Sequence, residues 1–218
     1  RRLETGLTVI TGLGVAAMLA PGLFVWNHFI TVPPDASAIE IVGQQWQWSF
    51  RLPGKDGKLG RTSVHDISDD NPLGLSRTDP DAKDDIIVDG TELHLPVGKP
   101  VKIVLRSTDV LHDFYVPEFR GKMDILPGSS TYFWLTPTRT GTFDILCAEL
   151  CGTYHSVMNF EVRAITPDLF DRYMELRKQT NPKTNKTYSA GEALAQMNCG
   201  ELCTPTAVTT KPFNTDRT

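Results

Sequence analysis

The run Cys147-Ala148-Glu149-Leu150-Cys151-Gly152-Thr153-Tyr154-His155-Ser156-Val157-Met158 places two thiols, an imidazole and a thioether on one short segment. Soft sulfur donors beside imidazole suit copper, zinc or iron, and a thioether in the set favours copper because zinc rarely takes methionine. Such a segment can wrap a metal only if the chain turns sharply, and Gly152 stands where that turn is needed. The segment reads as a copper loop.

A mononuclear blue-copper site uses one Cys, a downstream His and Met, and a second His far upstream. This loop holds one thiolate too many for that arrangement. If both thiolates bridge two copper ions, each ion still needs an imidazole, and the second must come from elsewhere. His112, in Ser107-Thr108-Asp109-Val110-Leu111-His112-Asp113-Phe114 after the strand-like Val101 to Leu105, is the best candidate. His28, His65 and His94 have no partner at ligand spacing and read as structural or solvated.

The elements that must position these residues follow from composition and pattern. The 218 residues, 40% of them hydrophobic, give room for one domain with extensions. A net charge of −4 gives no basis for a nucleic-acid partner, so any electrostatic partner must be read from local patches. The four cysteines form two CxxxC pairs, which fit a metal loop or an oxidising compartment.

No Asp, Glu, Lys or Arg occurs from Thr5 to Phe29. Roughly 20 apolar residues cover the ~30 Å hydrocarbon core of a bilayer. Residues 1–30 are therefore read as a transmembrane helix, with Arg1 and Arg2 marking the cytoplasmic end and Trp26 an interfacial anchor. A signal peptide is the alternative, but Pro21 and Gly22 carry the apolar run past the usual length.

From Ala38 to Phe50 the chain alternates as a strand, which would put Trp46, Trp48 and Phe50 on one face. Residues 53–85 are rich in Gly, Pro, Asp, Ser and Asn and read as a long insertion. Between Asp66 and Glu92, nine acidic residues face only Arg77 and Lys83, a surface suited to a basic partner. Strand signals then recur at 86–88, 92–95, 100–105, 130–136, 142–146 and 159–165, which predicts an antiparallel sandwich or barrel with the copper loop between its last two strands. The natural assignment is a mainly β, cupredoxin-like Greek-key barrel over residues 38–165, with the site at one end. Thr166 and Pro167 begin a helix, and Ser189 with Glu192 forms a capping box for a second, so 166–218 reads as a C-terminal helical extension. Cys199 and Cys203 echo the loop but have no following His or Met and lack the CxxCH of a haem site, which leaves a disulfide or a free pair.

The segment STDVLHDF followed by CAELCGTYHSVM resembles subunit II of the haem-copper cytochrome c oxidases, which carries the dinuclear CuA centre. The similarity runs from about Leu3 to Arg163. It implies the cupredoxin-like fold and, as the centre's ligands, Cys147 and Cys151 bridging both coppers, His112 and Met158 completing one ion, and His155 with the carbonyl of Glu149 completing the other. It implies a magnesium ion shared with subunit I through the Glu149 carboxylate. Gln45-Trp46-Gln47-Trp48 resembles the family's aromatic segment, in which Trp46 would take electrons from cytochrome c; Gln47 replaces the usual Tyr.

Leu3-Glu4-Thr5 through Leu23 is similar to the family's second membrane helix, where Glu4 would stand at the entrance of a proton path into subunit I, although Leu7 stands where Trp is frequent. The first helix is expected upstream of residue 1. The implied partners are cytochrome c or a cytochrome c domain, subunit I with the other oxidase subunits, and the lipid bilayer. The implied place is a bacterial cell membrane with the copper domain on its outer, periplasmic side, and the implied function is electron transfer to haem in subunit I for oxygen reduction coupled to proton translocation. Competing readings are the CuA domain of a nitrous oxide or nitric oxide reductase and a copper-storage or zinc module. The apolar segment and Glu4 speak against nitrous oxide reductase, and Trp46 with His112 against the storage module. Quinol oxidase subunits share the fold but lack the copper ligands.

Overall fold

A computed structural model describes residues 1–54, 56–68, 71–88, 91–181 and 186–197. The chain divides into two units, residues 1–36 and the remainder. The first unit contains α1, Arg2–Ile30, a helix of 29 residues with mean hydropathy 1.9 in its most apolar window and no buried residue. It is long and apolar enough to cross a membrane. Glu4 lies in its first turn, exposed, and Pro21 lies inside it.

Among the described residues, ten strands make up the two main sheets of the second unit: β1 Ser37–Gln44, β2 Gln47–Leu52, β3 Ile86–Val88, β4 Glu92–Pro96, β5 Val101–Ser107, β6 His112–Val116, β7 Gly121–Ile125, β8 Thr131–Leu135, β9 Gly141–Leu146 and β10 Asn159–Ile165. They form two five-stranded sheets, ordered β3-β2-β1-β5-β8 and β4-β10-β9-β6-β7. This is the expected mainly β, cupredoxin-like arrangement. The sheets are mixed rather than purely antiparallel, because β1 pairs parallel to β5 and β10 parallel to β4. Alternation predicts a strand but is blind to the direction of its neighbour.

The core lies between the sheets. Along β5, Val101, Ile103 and Leu105 are buried and alternate with half-buried Lys102, Val104 and Arg106. They join Ile39, Ile41 and Phe50 from their own sheet and Leu93, Leu95, Phe114, Ile145 and Val162 from the other. Burying such a side chain is worth roughly 1.5–3 kcal/mol, so this interior fixes the strand ends from which the site is built.

Three expectations change. The single strand Ala38–Phe50 is two antiparallel strands, with Gln44 opposite Gln47 and a two-residue turn, Gln45 and Trp46, joined by a cis peptide bond. Trp48 and Phe50 are buried as expected, whereas Trp46 sits half-buried in that turn and does not share their face. Two strands, β6 and β7, occupy a stretch between the strand signals at 100–105 and 130–136, where none was predicted.

The insertion after β2 is anchored rather than merely solvated. The Arg51 guanidinium, 3% exposed, pairs with Glu40 at 2.8 Å and with Asp85, and donates to the Gly60 carbonyl. Asp85 is thus not a surface charge. Asp79, mostly buried, accepts from the Arg61 backbone at 2.8 Å. Asp69, Asp70 and Asp89 lie outside the described residues.

After β10, α2 spans Pro167–Arg177 with proline in its first turn. The capping box of the next helix, α3 Ala190–Met197, is present: Ser189 N–H donates to Glu192 Oε2 at 2.9 Å and Glu192 N–H to Ser189 Oγ at 3.3 Å. The Cys199 and Cys203 pair lies outside the described residues.

Candidate metal centre

The site begins at the ends of two strands. β5 ends at Ser107, whose Oγ donates to the Val110 carbonyl at 2.5 Å and accepts from the Asp109 N–H at 3.2 Å. This tight turn sends the chain back as β6, so that His112 is its first residue and fully buried. β9 ends at Leu146, and the loop from Cys147 to Met158 leads into β10, its neighbour in the sheet.

Loop and histidine converge. His112, Cys147 and Cys151 are all buried, and their ligand atoms lie within 4.8 Å of one another. Cys147 Sγ stands 3.9 Å from His112 Nδ1, 3.3 Å from the Glu149 carbonyl oxygen and 3.8 Å from Cys151 Sγ. Cys151 Sγ is in turn 3.5 Å from both His155 Nδ1 and Met158 Sδ. The four other expected donors therefore surround the two cysteine sulfurs.

The donor set fits copper. A disulfide needs sulfurs about 2.05 Å apart, and these are 3.8 Å apart. Metal–thiolate bonds of about 2.3 Å allow two sulfurs on a shared ion to stand up to roughly 4.6 Å apart, so the pair is spaced to share ions. Thiolate, thioether and imidazole donors together are the soft set that copper takes.

Electrostatics prepare the sulfurs unequally. Burial opposes ionisation at Cys147, but His112 and the main-chain N–H groups of Asp113 and Glu149 favour its thiolate and bring its pKa below the ordinary value. Burial and the neighbouring Cys147 sulfur push Cys151 the other way. At His112, burial lowers the pKa, yet Cys147 and Asp109 outweigh it and hold the imidazole above its ordinary value. Each of these groups calls for positive charge between the sulfurs.

Several functional residues were not singled out as such from sequence. Asp109 Oδ1 lies 2.8 Å from His112 Nε2. Gln45 donates its backbone N–H to Asp109 Oδ2 at 2.6 Å and its side-chain Nε2 to the Cys151 carbonyl at 2.8 Å. The β1–β2 turn is therefore bonded to both ligand-bearing segments. Asp109 stood inside a noticed motif, three residues before His112; no local signal marked Gln45's contacts. Gly152 is needed twice: its φ of +124° disfavours side chains, and a Cβ would lie 3.0 Å from Gln45 Nε2 and 3.1 Å from Trp46 Cζ2.

Trp46 thus packs on the loop beside Cys151, and Tyr154 meets its ring edge-on at a centroid distance of 4.9 Å. Leu150, Tyr154 and Val157 are exposed on the same loop. The Glu149 carboxylate, 37% exposed, pairs with Lys122 at 3.0 Å.

The model of the family "cytochrome c oxidase subunit II, periplasmic domain" matches residues 37–165. The chain belongs to the cytochrome c oxidase subunit II family. The alternative cytochrome c oxidase subunit 2 of Bradyrhizobium diazoefficiens is 60% identical over 178 residues, which cover 82% of this chain and 64% of that relative. The probable cytochrome c oxidase subunit 2 of Mycobacterium leprae is 33% identical, with 99% of this chain and 68% of the relative covered. Among solved structures, the periplasmic domain of subunit II (CoxB) of Bradyrhizobium japonicum is similar at 28% identity and a TM-score of 0.48, over 66% of this chain and 95% of that one. The chain spans between 32% and 68% of the length of the curated subunit 2 relatives it matches.

Proposed function

We propose that this subunit II chain accepts electrons from cytochrome c, or a cytochrome c domain, at a dinuclear copper centre and passes them to haem in subunit I. One observation carries this reading: two imidazoles, a thioether and a carbonyl converge on two unlinked sulfurs in a loop that packs against a half-exposed tryptophan. The competing storage module has no use for that tryptophan.

Cys147 and Cys151 would hold both coppers, with His112 and Met158 on one and His155 and the Glu149 carbonyl on the other. Bound there, the copper pair would supply one-electron uptake and release with the charge spread over two ions. The protein does the rest. Asp109 fixes the His112 tautomer so that Nδ1 faces the sulfurs. Gln45 holds the Cys151 carbonyl against the Trp46 turn, and Trp46 bridges from surface to loop. Buried Met158 and Cys151 keep water from the inner side.

The same reading places α1 in a bacterial cell membrane beside subunit I and the other oxidase subunits, with the copper domain on the periplasmic side and Glu4 at the entrance of a proton path. Oxygen reduction and proton translocation belong to that complex. The Glu149 carboxylate would share a magnesium ion with subunit I through Oε2, while Oε1 keeps its partner Lys122. The half-exposed Asp66, Asp81 and Asp84 of the insertion would favour encounter with a basic donor.

Stopped-flow reduction of the copper-loaded chain by reduced cytochrome c tests this function. Trp46→Phe should slow electron uptake sharply while leaving the copper content unchanged. Uptake at the wild-type rate would remove Trp46 from the path, and absence of any reduction of the wild-type chain would overturn the reading.

A further inference from the structure

Lys122, on β7, approaches three carboxylates. Its Nζ stands 3.0 Å from Glu149 Oε1, 3.2 Å from Asp113 Oδ2 and 3.5 Å from Asp124 Oδ1. The two nearest come from the two separate segments that carry donors to the centre. Asp113 follows His112 on β6, and Glu149 follows Cys147 by two residues in the loop. Cys147 Sγ lies 3.9 Å from Nδ1 of His112, the residue before Asp113, and 3.3 Å from the carbonyl oxygen of Glu149 itself. One ammonium therefore ties together the two segments that present donors to one sulfur.

The strand register produces this arrangement. Tyr115 lies opposite Lys122 and Asp113 opposite Asp124. Residues two apart on a strand share a face, so Asp113, Lys122 and Asp124 stand on one side of the β6–β7 ladder, and His112 and Phe114 stand on the other, towards the core. The side chain of Asp113 is wholly buried, unlike that of Lys122 at 47% exposure. Surface ion pairs contribute little, but a buried carboxylate depends on its cation, which makes this contact a directed one.

We infer that Lys122 is a positioning residue for the copper centre: by clamping Asp113 of β6 to Glu149 of the loop, it fixes the His112 imidazole and the Glu149 carbonyl beside the Cys147 sulfur. This rests on the copper reading proposed above. Hydrogen bonds to a metal-bound sulfur and its supporting residues set metal affinity and reduction potential. Lysine suits the role because its compact ammonium can donate to Glu149 and Asp124 while its charge stands 3.2 Å from the buried Asp113 carboxylate.

The test uses the whole chain in detergent, with and without copper, as wild type, Lys122→Met and Lys122→Arg. Without copper, amide hydrogen exchange at Asp113 and Glu149 should quicken several-fold in K122M while distant strand amides keep their rates. With copper, K122M should bind about 10-fold more weakly in competition with a chelator, and its sulfur-to-copper absorption bands and reduction potential should shift. K122R should restore the exchange rates and most of the copper properties. Glu149→Gln should reproduce the K122M shift, and the double variant should add little to either, because the two residues act through one contact. Unchanged exchange in K122M, or a copper spectrum and affinity like wild type, would overturn the clamp. Loss of copper binding in the wild type itself would instead overturn the function proposed above, while the exchange measurement would still decide the clamp.

Discussion

Asp109 Oδ1 lies 2.8 Å from His112 Nε2, so the ring nitrogen left to face Cys147 is Nδ1. A carboxylate on the remote nitrogen fixes both the tautomer and the orientation of a ligating histidine. Replacing such a partner typically costs about 10–100-fold in metal affinity. Asp109→Ala should therefore weaken copper binding by that factor in chelator competition, with the polypeptide still folded by circular dichroism. Asp109→Asn, which keeps an acceptor oxygen, should lose less.

Acid should loosen the end of the sandwich covered by α2, through His94. Its ring is 1% exposed and stacks on Tyr173 of α2 at 4.7 Å, with Glu92 on β4, Arg163 on β10 and Arg177 on α2 around it. Burial, then the two guanidinium groups, lowers its pKa from 6.5 to about 4. The unfolded chain binds this proton more readily than the folded one. Stability is thus fully present above pH 6.5, declines as pH falls towards about 4 and loses no more from this group below that. The total is on the order of 3 kcal/mol. Denaturant unfolding across this window should show a shallower pH dependence for His94→Phe than for wild type.

Arg51 should be the residue on which the insertion depends. It is buried between Glu40 and Asp85, and burial of Asp85 already raises that carboxyl's pKa despite the guanidinium. Removing one member of a buried pair costs about 3–5 kcal/mol because a charge is left uncompensated. Arg51→Met should lose stability of that size in equilibrium unfolding, and Arg51→Lys, which lacks the planar fork, should recover only part of it.

What the sequence disclosed about this chain follows the range of its interactions. The loop from Cys147 to Met158 was legible because all its donors are local, and β4, β5, β9 and β10 because their alternation is undisturbed. The β1–β2 hairpin was marked only by a change of phase, from apolar Ile39 and Ile41 to Trp46, Trp48 and Phe50, with no Gly or Pro inside the two-residue turn to announce it. Supports of the site were the least visible. Gln45 reaches Asp109 across 64 positions and Lys122 reaches Glu149 across 27, and no local pattern encodes a contact made only when the sheets assemble.

Electron paramagnetic resonance of the copper-loaded chain, with copper counted per polypeptide, tests the central claim most directly. Two coppers per chain, with one unpaired electron coupled equally to both nuclei, are the result that shared Cys147 and Cys151 thiolates predict. A single-nucleus hyperfine pattern, or zinc held in place of copper, would contradict it.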